Sequence, residues 1–223
     1  MPTLPSAEPW PQTPPPRLTL HGEPLSAELC RPPEAGFRDG SDFVLQRYWR
    51  HYGARPRITA SFLMLLRDQT GACRAVAGLT PAAGQRLFLE RYLDHPVEQL
   101  TSREAGSPVP RQNIWEVANL AADGSGAGRM LFVALTAALA NLGGEWIAFT
   151  ATVQVRNMFV RLGLSPVSVA KAEPDRLGDE VRNWGRYYQH DPQVMLGHVP
   201  PGQRSLVRQG WLTGPEVRND VVA

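Results

Sequence analysis

From Ala127 onward the apolar residues recur at intervals of three and four: Ala127, Met130, Leu131, Ala134, Leu135, Ala138, Leu139 and Leu142. On a helix these positions form one continuous stripe, so the spacing predicts a helix, and Gly143-Gly144 supplies its stop. The flanking segments have a different character. Residues 113–121 (NIWEVANLA) and 145–152 (EWIAFTAT) are rich in β-formers and too short for an ordinary helix, which predicts a strand on each side. Residues 153–163 (VQVRNMFVRLG) return to the helical period, with Val155, Phe159 and Leu162 on one side and Gly163 at the end.

Upstream, 42–54 (DFVLQRYWRHYGA) reads as a first helix stopped by Gly53. Residues 61–68 and 73–82 read as an antiparallel hairpin around the turn sequence DQTG. A third short apolar run, 86–90, leads into 91–104, expected as two short helical pieces around Pro96. Residues 166–170 and 193–199 read as further strands and 173–188 as mostly helical. This order predicts a single mixed α/β domain, with an antiparallel front half and a βαβ crossover in its middle.

Composition sets the boundaries. Residues 1–24 hold a large share of the prolines and are expected to be a disordered tail; 25–200 form the domain and 201–223 a polar, turn-rich extension. At 223 residues with 43% hydrophobic content, the chain can build one real core. Its formal charge is +2, Lys171 is the only lysine, and the arginines form no dense run, so no nucleic-acid partner is expected. Cys30 and Cys73 make no CxxC pair, and the histidines show no metal spacing, so no metal is expected. The N-terminus lacks the basic start and apolar stretch of a signal peptide. No run approaches the roughly 18–20 apolar residues of a membrane helix. The expectation is a cytoplasmic protein without integral membrane association.

The loop 123–128 (DGSGAG) joins the first of these strands to the striped helix. A helix N-terminus leaves about four N–H groups unpaired and carries the positive end of the macrodipole. Gly124, Gly126 and Gly128 let a phosphate approach that terminus, and Arg129 stands by as a counter-charge. A flexible join without a ligand would look similar. The P-loop pattern GxxxxGK(S/T) is absent, and the glycine spacing is not that of a dinucleotide-binding fold. Glu116 lies mid-strand among apolar neighbours, where burial would raise its pKa toward a value useful to a base; an ion pair with an arginine is the structural alternative. Alternation places Ile114, Glu116, Ala118 and Leu120 on one face and Trp115, Val117 and Asn119 on the other. Glu116 and Asn119 therefore meet in one cleft only if a bulge intervenes.

The strand bearing Glu116, the glycine-rich turn, the next strand and the helix ending NMFVRLGL together resemble the GNAT superfamily of N-acyltransferases. There the turn pattern Q/R-x-x-G-x-G/A binds the pyrophosphate of acyl-coenzyme A. The segments WEVANLA, GAGRML, FTAT, NMFVRLGLSP and WGRYYQHDPQVMLG, in this order, resemble the bacterial thermostable hemolysin family, over roughly residues 29–199. The layout is also similar to the acyl-homoserine-lactone synthases, which acylate S-adenosylmethionine from an acyl carrier protein.

The resemblance implies an acyltransferase that takes its acyl group from acyl-CoA or an acyl-phosphopantetheine carrier protein. The acceptor would be a small-molecule amine, with S-adenosylmethionine among the candidates. Gly126, Ala127, Gly128 and Arg129 match the end of the pyrophosphate loop, Leu120 and Ala121 the strand end that pairs with pantetheine amides, and Asn157 the asparagine opening the last helix. Asp123 departs from the pattern, and a carboxylate there would repel a diphosphate, which favours the single phosphate of a carrier-bound arm. Glu116 is the candidate base. Tyr187 is the candidate acid for the leaving thiolate, with core packing as its other role. Asn119, Thr150, Thr152 and Trp184 are candidates for the acceptor pocket, and Glu90 and Asp94 for recognising a cationic acceptor. The alternative readings are a catalytically silent GNAT-fold binding module and a membrane-active hemolysin.

Overall fold

The computed structural model describes residues 18–20 and 22–212. Eight strands form one mixed sheet: β1 (Leu18–Leu20), β2 (Glu23–Cys30), β3 (Phe62–Arg67), β4 (Cys73–Pro81), β5 (Ile114–Ala122), β6 (Trp146–Ala151), β7 (Val167–Lys171) and β8 (Gln193–His198). Their spatial order is β1-β2-β3-β4-β5-β6-β8-β7. Only β5 and β6 pair in parallel; every other neighbouring pair is antiparallel. The helices are α1 (Ala35–Tyr52), α2 (Val97–Ala105), α3 (Ser125–Asn141), α4 (Val153–Arg161) and α5 (Val199–Arg208). Short 3₁₀ segments at Phe88–Tyr92, Pro174–Trp184 and Tyr187–His190 close one end of the sheet.

The two faces of the sheet follow the period of two. Met64 and Leu66 of β3 and Ala75, Ala77 and Leu79 of β4 pack beneath α3. Leu63, Leu65 and Val76, the intervening residues, pack beneath α1 with Val44 and Tyr48. Because both faces are covered, β3 reads as an unbroken apolar run and not as an alternation. The predicted stripe on α3 is buried from Ala127 to Leu139, and the βαβ crossover runs β5–α3–β6 as expected.

Three boundaries differ from the sequence reading. Helix α1 starts at Ala35, seven residues before the expected 42. Gly36 and Gly40 conceal that start, since glycine lowers helical propensity, but here each allows close packing. A Cβ on Gly36 would lie 2.3 Å from Cys30 Sγ, and one on Gly40 3.1 Å from Leu63 and Leu65 side chains. At the N-terminus, β1 pairs with β2 through Leu18↔Leu25 and Leu20↔Glu23, so residues 18–20, 23 and 24 belong to the sheet and not to a disordered tail. Residues 1–17, the rest of that expectation, lie outside the described residues. At the other end, Pro200 and Pro201 open α5 instead of breaking structure, because the first helical turn needs no N–H from them. Val199 and Leu206 are buried there, so part of the expected extension is core. Residues 213–223 also lie outside the described residues. No helix among the described residues is long and apolar enough to cross a membrane.

Candidate functional site

Strands β5 and β6 pair only from Ile114↔Trp146 to Val117↔Phe149. Beyond that point β5 stays with β4 as far as Ala122, and β6 stays with β8 as far as Ala151. The two parallel strands therefore part, leaving β5 beyond Val117 without a partner in β6. A bulge sits at the divergence. Val76 faces Ala121 and Gly78 faces Ala118, so Ala77 alone opposes Asn119 and Leu120. Asn119 takes the extra residue's conformation at φ 52°, a left-handed geometry that asparagine tolerates better than most residues. A Cβ on Gly78 would come within 2.9 Å of Asn119 Oδ1 and 2.8 Å of Ala60 Cβ, so only glycine fits opposite the bulge.

The bulge reverses the strand's alternation. Trp115 and Val117 pack with the α3-side core, and so do Leu120 and Ala122 after it. The expectation that Leu120 shares a face with Glu116 is thereby corrected. Glu116 and Asn119 now line one cavity, together with Thr150, Thr152, Trp184 and Tyr187.

Two cavities fill the gap between the strands. The larger, about 650 Å³, lies between α1, the end of β5, the start of α3 and α4. The smaller, about 60 Å³, reaches Glu116. Tyr48, Tyr52, Leu120, Thr152 and Val155 line both, so they are two ends of one cleft.

The larger end is cationic. Arg47, Arg50, Arg129 and Arg161 line it, with Gly124, Gly128 and Asn157. Gly124 precedes α3 at φ 88°, and no side chain caps that terminus, so its first N–H groups are open to a ligand. Gly128 serves packing as well as access: a Cβ there would lie 2.9 Å from Met158 Cε, which fixes the approach of α4. Leu120 and Ala121 line this end. Ala127 turns its methyl into the core, and neither it nor Gly126 lines the cavity. The Arg129 guanidinium stands 5.5 Å from the Trp211 ring. Asp123 forms ion pairs with Arg47 and, at 3.2 Å, with Arg74. Asp123, expected to repel a diphosphate, is thus paired with two arginines, and it holds Arg47 at the cavity wall.

The smaller end is aromatic around a single acid. Glu116 is 4% exposed, and its two oxygens accept hydrogen bonds from the backbone N–H groups of Phe88 and Leu89, each at 2.9 Å. Burial pushes its pKa up to about 7; the two N–H donors oppose that rise, and the nearby Glu90 charge adds to it. Its partners are backbone amides, not the arginine of the ion-pair alternative. Tyr187 stacks on Tyr48 at 6.2 Å and meets Tyr52 edge-on at 5.2 Å. Its burial holds the phenol well above its ordinary pKa, so it stays protonated at neutral pH. Thr152 is 3% exposed and its hydroxyl has no hydrogen-bond partner among the described residues. The Tyr52 hydroxyl is close enough to be influenced by it, but the geometry falls short of a hydrogen bond. An orphaned buried hydroxyl at the junction of two cavities is free to meet a ligand.

Glu90 and Asp94 are not in the cleft, which corrects their expected role toward a cationic acceptor. The Glu90 carboxylate accepts from the N–H groups of Leu87 (2.7 Å) and Val97 (3.0 Å) and pairs with Arg111, and Asp94 pairs with Arg176. Both line a separate cavity with Arg111, apart from Glu116 and the glycine loop. Conversely, the sequence reading overlooked Arg47, Arg50, Tyr48 and Tyr52 as cleft residues. Their spacing of three (Arg47, Arg50) and four (Tyr48, Tyr52) fits a helix, but only the packing of α1 across β5 turns these residues into a cleft wall. Among the described residues no group of histidine, cysteine or carboxylate side chains could hold a metal.

The family model described as thermostable hemolysin matches residues 31–203. No curated protein sequence matches the chain significantly. Among solved structures the chain is similar to FeeM, an N-acyl amino acid synthase from uncultured soil microbes, at TM-score 0.58 and 14% identity over 83% of this chain and 96% of that one. It is similar to the acyl-homoserine-lactone synthase LasI at TM-score 0.57 and 12% identity, over 87% and 100% of the two chains. It is also similar to BjaI, a CoA-dependent acyl-homoserine lactone synthase solved with SAM and isopentyl-CoA, at TM-score 0.54 and 11% identity over 85% and 91%. At these identities the likeness establishes a shared fold, the GNAT-like fold of N-acyltransferases.

Proposed function

Since the chain belongs to the thermostable hemolysin family and has the fold of N-acyltransferases, we propose that it moves an acyl group from an acyl thioester to an amine. One observation carries this reading. A single cleft runs from an uncapped helix terminus flanked by arginines, through parted strands, to a buried carboxyl group that titrates near neutrality.

The donor's phosphate would meet the α3 terminus and the arginines of the larger cavity, and its pantetheine arm would lie along the backbone of Leu120 and Ala121. Both acyl-CoA and a carrier-bound phosphopantetheine fit this scheme, and the ion-paired Asp123 no longer disfavours the first. The thioester would then lie at the bulge, beside Asn119 and Glu116. The acceptor nitrogen attacks the thioester carbonyl carbon, the carbon–sulfur bond breaks, and no covalent enzyme intermediate forms. Ionised Glu116 takes the proton lost by the amine, directly or through a water, and the Tyr187 phenol protonates the departing thiolate. Asn119, Thr150 and Thr152 would meet the acceptor, and Trp184 would bound its pocket.

The test is release of free thiol from acyl-CoA and from acyl carrier protein, with a panel of amines that includes S-adenosylmethionine. Turnover is expected with at least one pair. Glu116→Gln should lower kcat by about 10²–10⁴-fold while donor binding, followed by thermal shift, stays intact. A donor at about 100 times its Kd raises stability by about 2.7 kcal/mol, so binding is measurable without turnover. Absence of both thiol release and any shift with pantetheine species would refute the reading. Binding without turnover would favour a catalytically silent module.

A further inference from the structure

Resting on the acyl-transfer reading, we infer that this protein selects short acyl groups, and that Phe88 and Trp184 set the upper limit. To bring a thioester to Glu116, the acyl group must pass Tyr48, Tyr52 and Leu120, which line both cavities, and enter the smaller one. That cavity measures about 60 Å³. An apolar cavity of about 150 Å³ admits benzene, so this one has room for about two to four carbons on the same scale. The attacking nitrogen must share that space.

The far wall is aromatic and braced. Phe88 and Trp184 face each other at 5.8 Å between ring centroids, and Tyr92 lies edge-on to Phe88 at 6.1 Å. The backbone N–H of Phe88 is held by Glu116. Several polar ties join the Phe88–Tyr92 turn to the Pro174–His190 region: the Tyr92 and Tyr188 hydroxyls at 2.6 Å, Arg91 with Glu180 at 2.6 Å, and Arg91 donating to the Leu177 carbonyl at 3.0 Å. Asp94 and Arg176 add another ion pair just beyond the turn. Arg91 also lies over the Phe88 ring, 5.5 Å from its centroid. Admitting a long chain would mean breaking several of these contacts together, so the depth is built into the fold. Phe88 and the residues that brace it have no role in the proposed transfer chemistry, and closing the back of the cleft gives them one.

The experiment measures thiol release by the full chain from acetyl, butyryl, hexanoyl, octanoyl and dodecanoyl thioesters, each as the CoA ester and as the simple pantetheine ester. The acceptor is the amine that supports the fastest turnover. Wild type is expected to prefer acetyl or butyryl, with kcat/KM falling at least about ten-fold by octanoyl, the scale of discrimination by pocket fit. Phe88→Ala and Trp184→Ala should each raise the octanoyl-to-butyryl ratio by about ten-fold. The wild-type profile decides the length limit even if neither variant folds, and an unchanged ratio in folded variants would overturn the assignment to Phe88 and Trp184. A flat profile, or an optimum at eight or more carbons, would overturn the inference and leave acyl transfer standing. No release and no thermal shift at any length would overturn the acyl-transfer reading, and this inference with it.

Discussion

Glu116 is a buried acid whose hydrogen-bond donors, among the described residues, are two main-chain N–H groups. Those donors favour its ionised form, but burial outweighs them and leaves the carboxyl titrating near 7. Such a group is half ready to accept a proton at neutral pH, which suits a general base. Two consequences are measurable. The rate of acyl transfer should climb with pH through an apparent pKa of about 7, and Glu116→Gln should remove that limb. The stability effect runs the opposite way. A raised acid pKa means that the native state holds its proton over a range where the unfolded chain has released it. Its favourable contribution is therefore complete below about pH 4.5 and is lost as pH rises to 7. Over that interval wild type should lose about 3 kcal/mol relative to Glu116→Gln. Denaturant unfolding of both proteins from pH 4.5 to 8 measures it, and parallel curves would show that Glu116 titrates normally.

At the scale of the element, the bulge in β5 decides which side chains share the cleft. Regular alternation assigns Glu116 and Asn119 to opposite faces, and one extra residue at φ 52° brings them together. The sequence allowed such a bulge but did not require it: Asn119 is unremarkable until Gly78 is seen across the ladder. By contrast, the strand–loop–helix–strand around residues 113–152 was legible, because its pattern is local and α3 repeats its stripe over four turns. Asn119→Val should cost about 1–2 kcal/mol, since a β-branched residue resists the left-handed conformation, and should also lower turnover. Asn119→Gly should keep the fold within a few tenths of a kcal/mol and lose only what the side chain does in the cleft. Melting curves and thiol release measured on both variants separate the two contributions. Equal melting temperatures for wild type and Asn119→Val would mean that the bulge is not held at this residue.

Across the whole molecule, a formal charge of only +2 conceals a strong asymmetry. Arg47 and Arg50 come from α1, Arg129 from α3 and Arg161 from α4, and they converge on the larger cavity from positions more than a hundred residues apart in sequence. No run of basic residues announces this, which is why composition gave no hint of the proposed anion site while the glycine loop did. Asp123 shows the same limit from the other direction. Taken alone it opposes a phosphate, but in the folded chain Arg47 and Arg74 neutralise it. A cluster of guanidinium groups around an open helix terminus should draw a multiply charged donor by long-range attraction, which salt screens beyond about 10 Å at 0.1 M. Affinity for coenzyme A should therefore fall at least about three-fold as salt rises from about 0.05 to 0.5 M. Simple pantetheine carries no phosphate, and its weaker binding should scarcely respond. Arg47→Ala and Arg129→Ala should each weaken coenzyme A and flatten its salt dependence while leaving pantetheine unchanged. Calorimetric titrations of both ligands across the salt series test this. If coenzyme A and pantetheine respond to salt alike, the arginines do not act as a phosphate site, and the donor's hold on the cleft must come from the strand backbone instead.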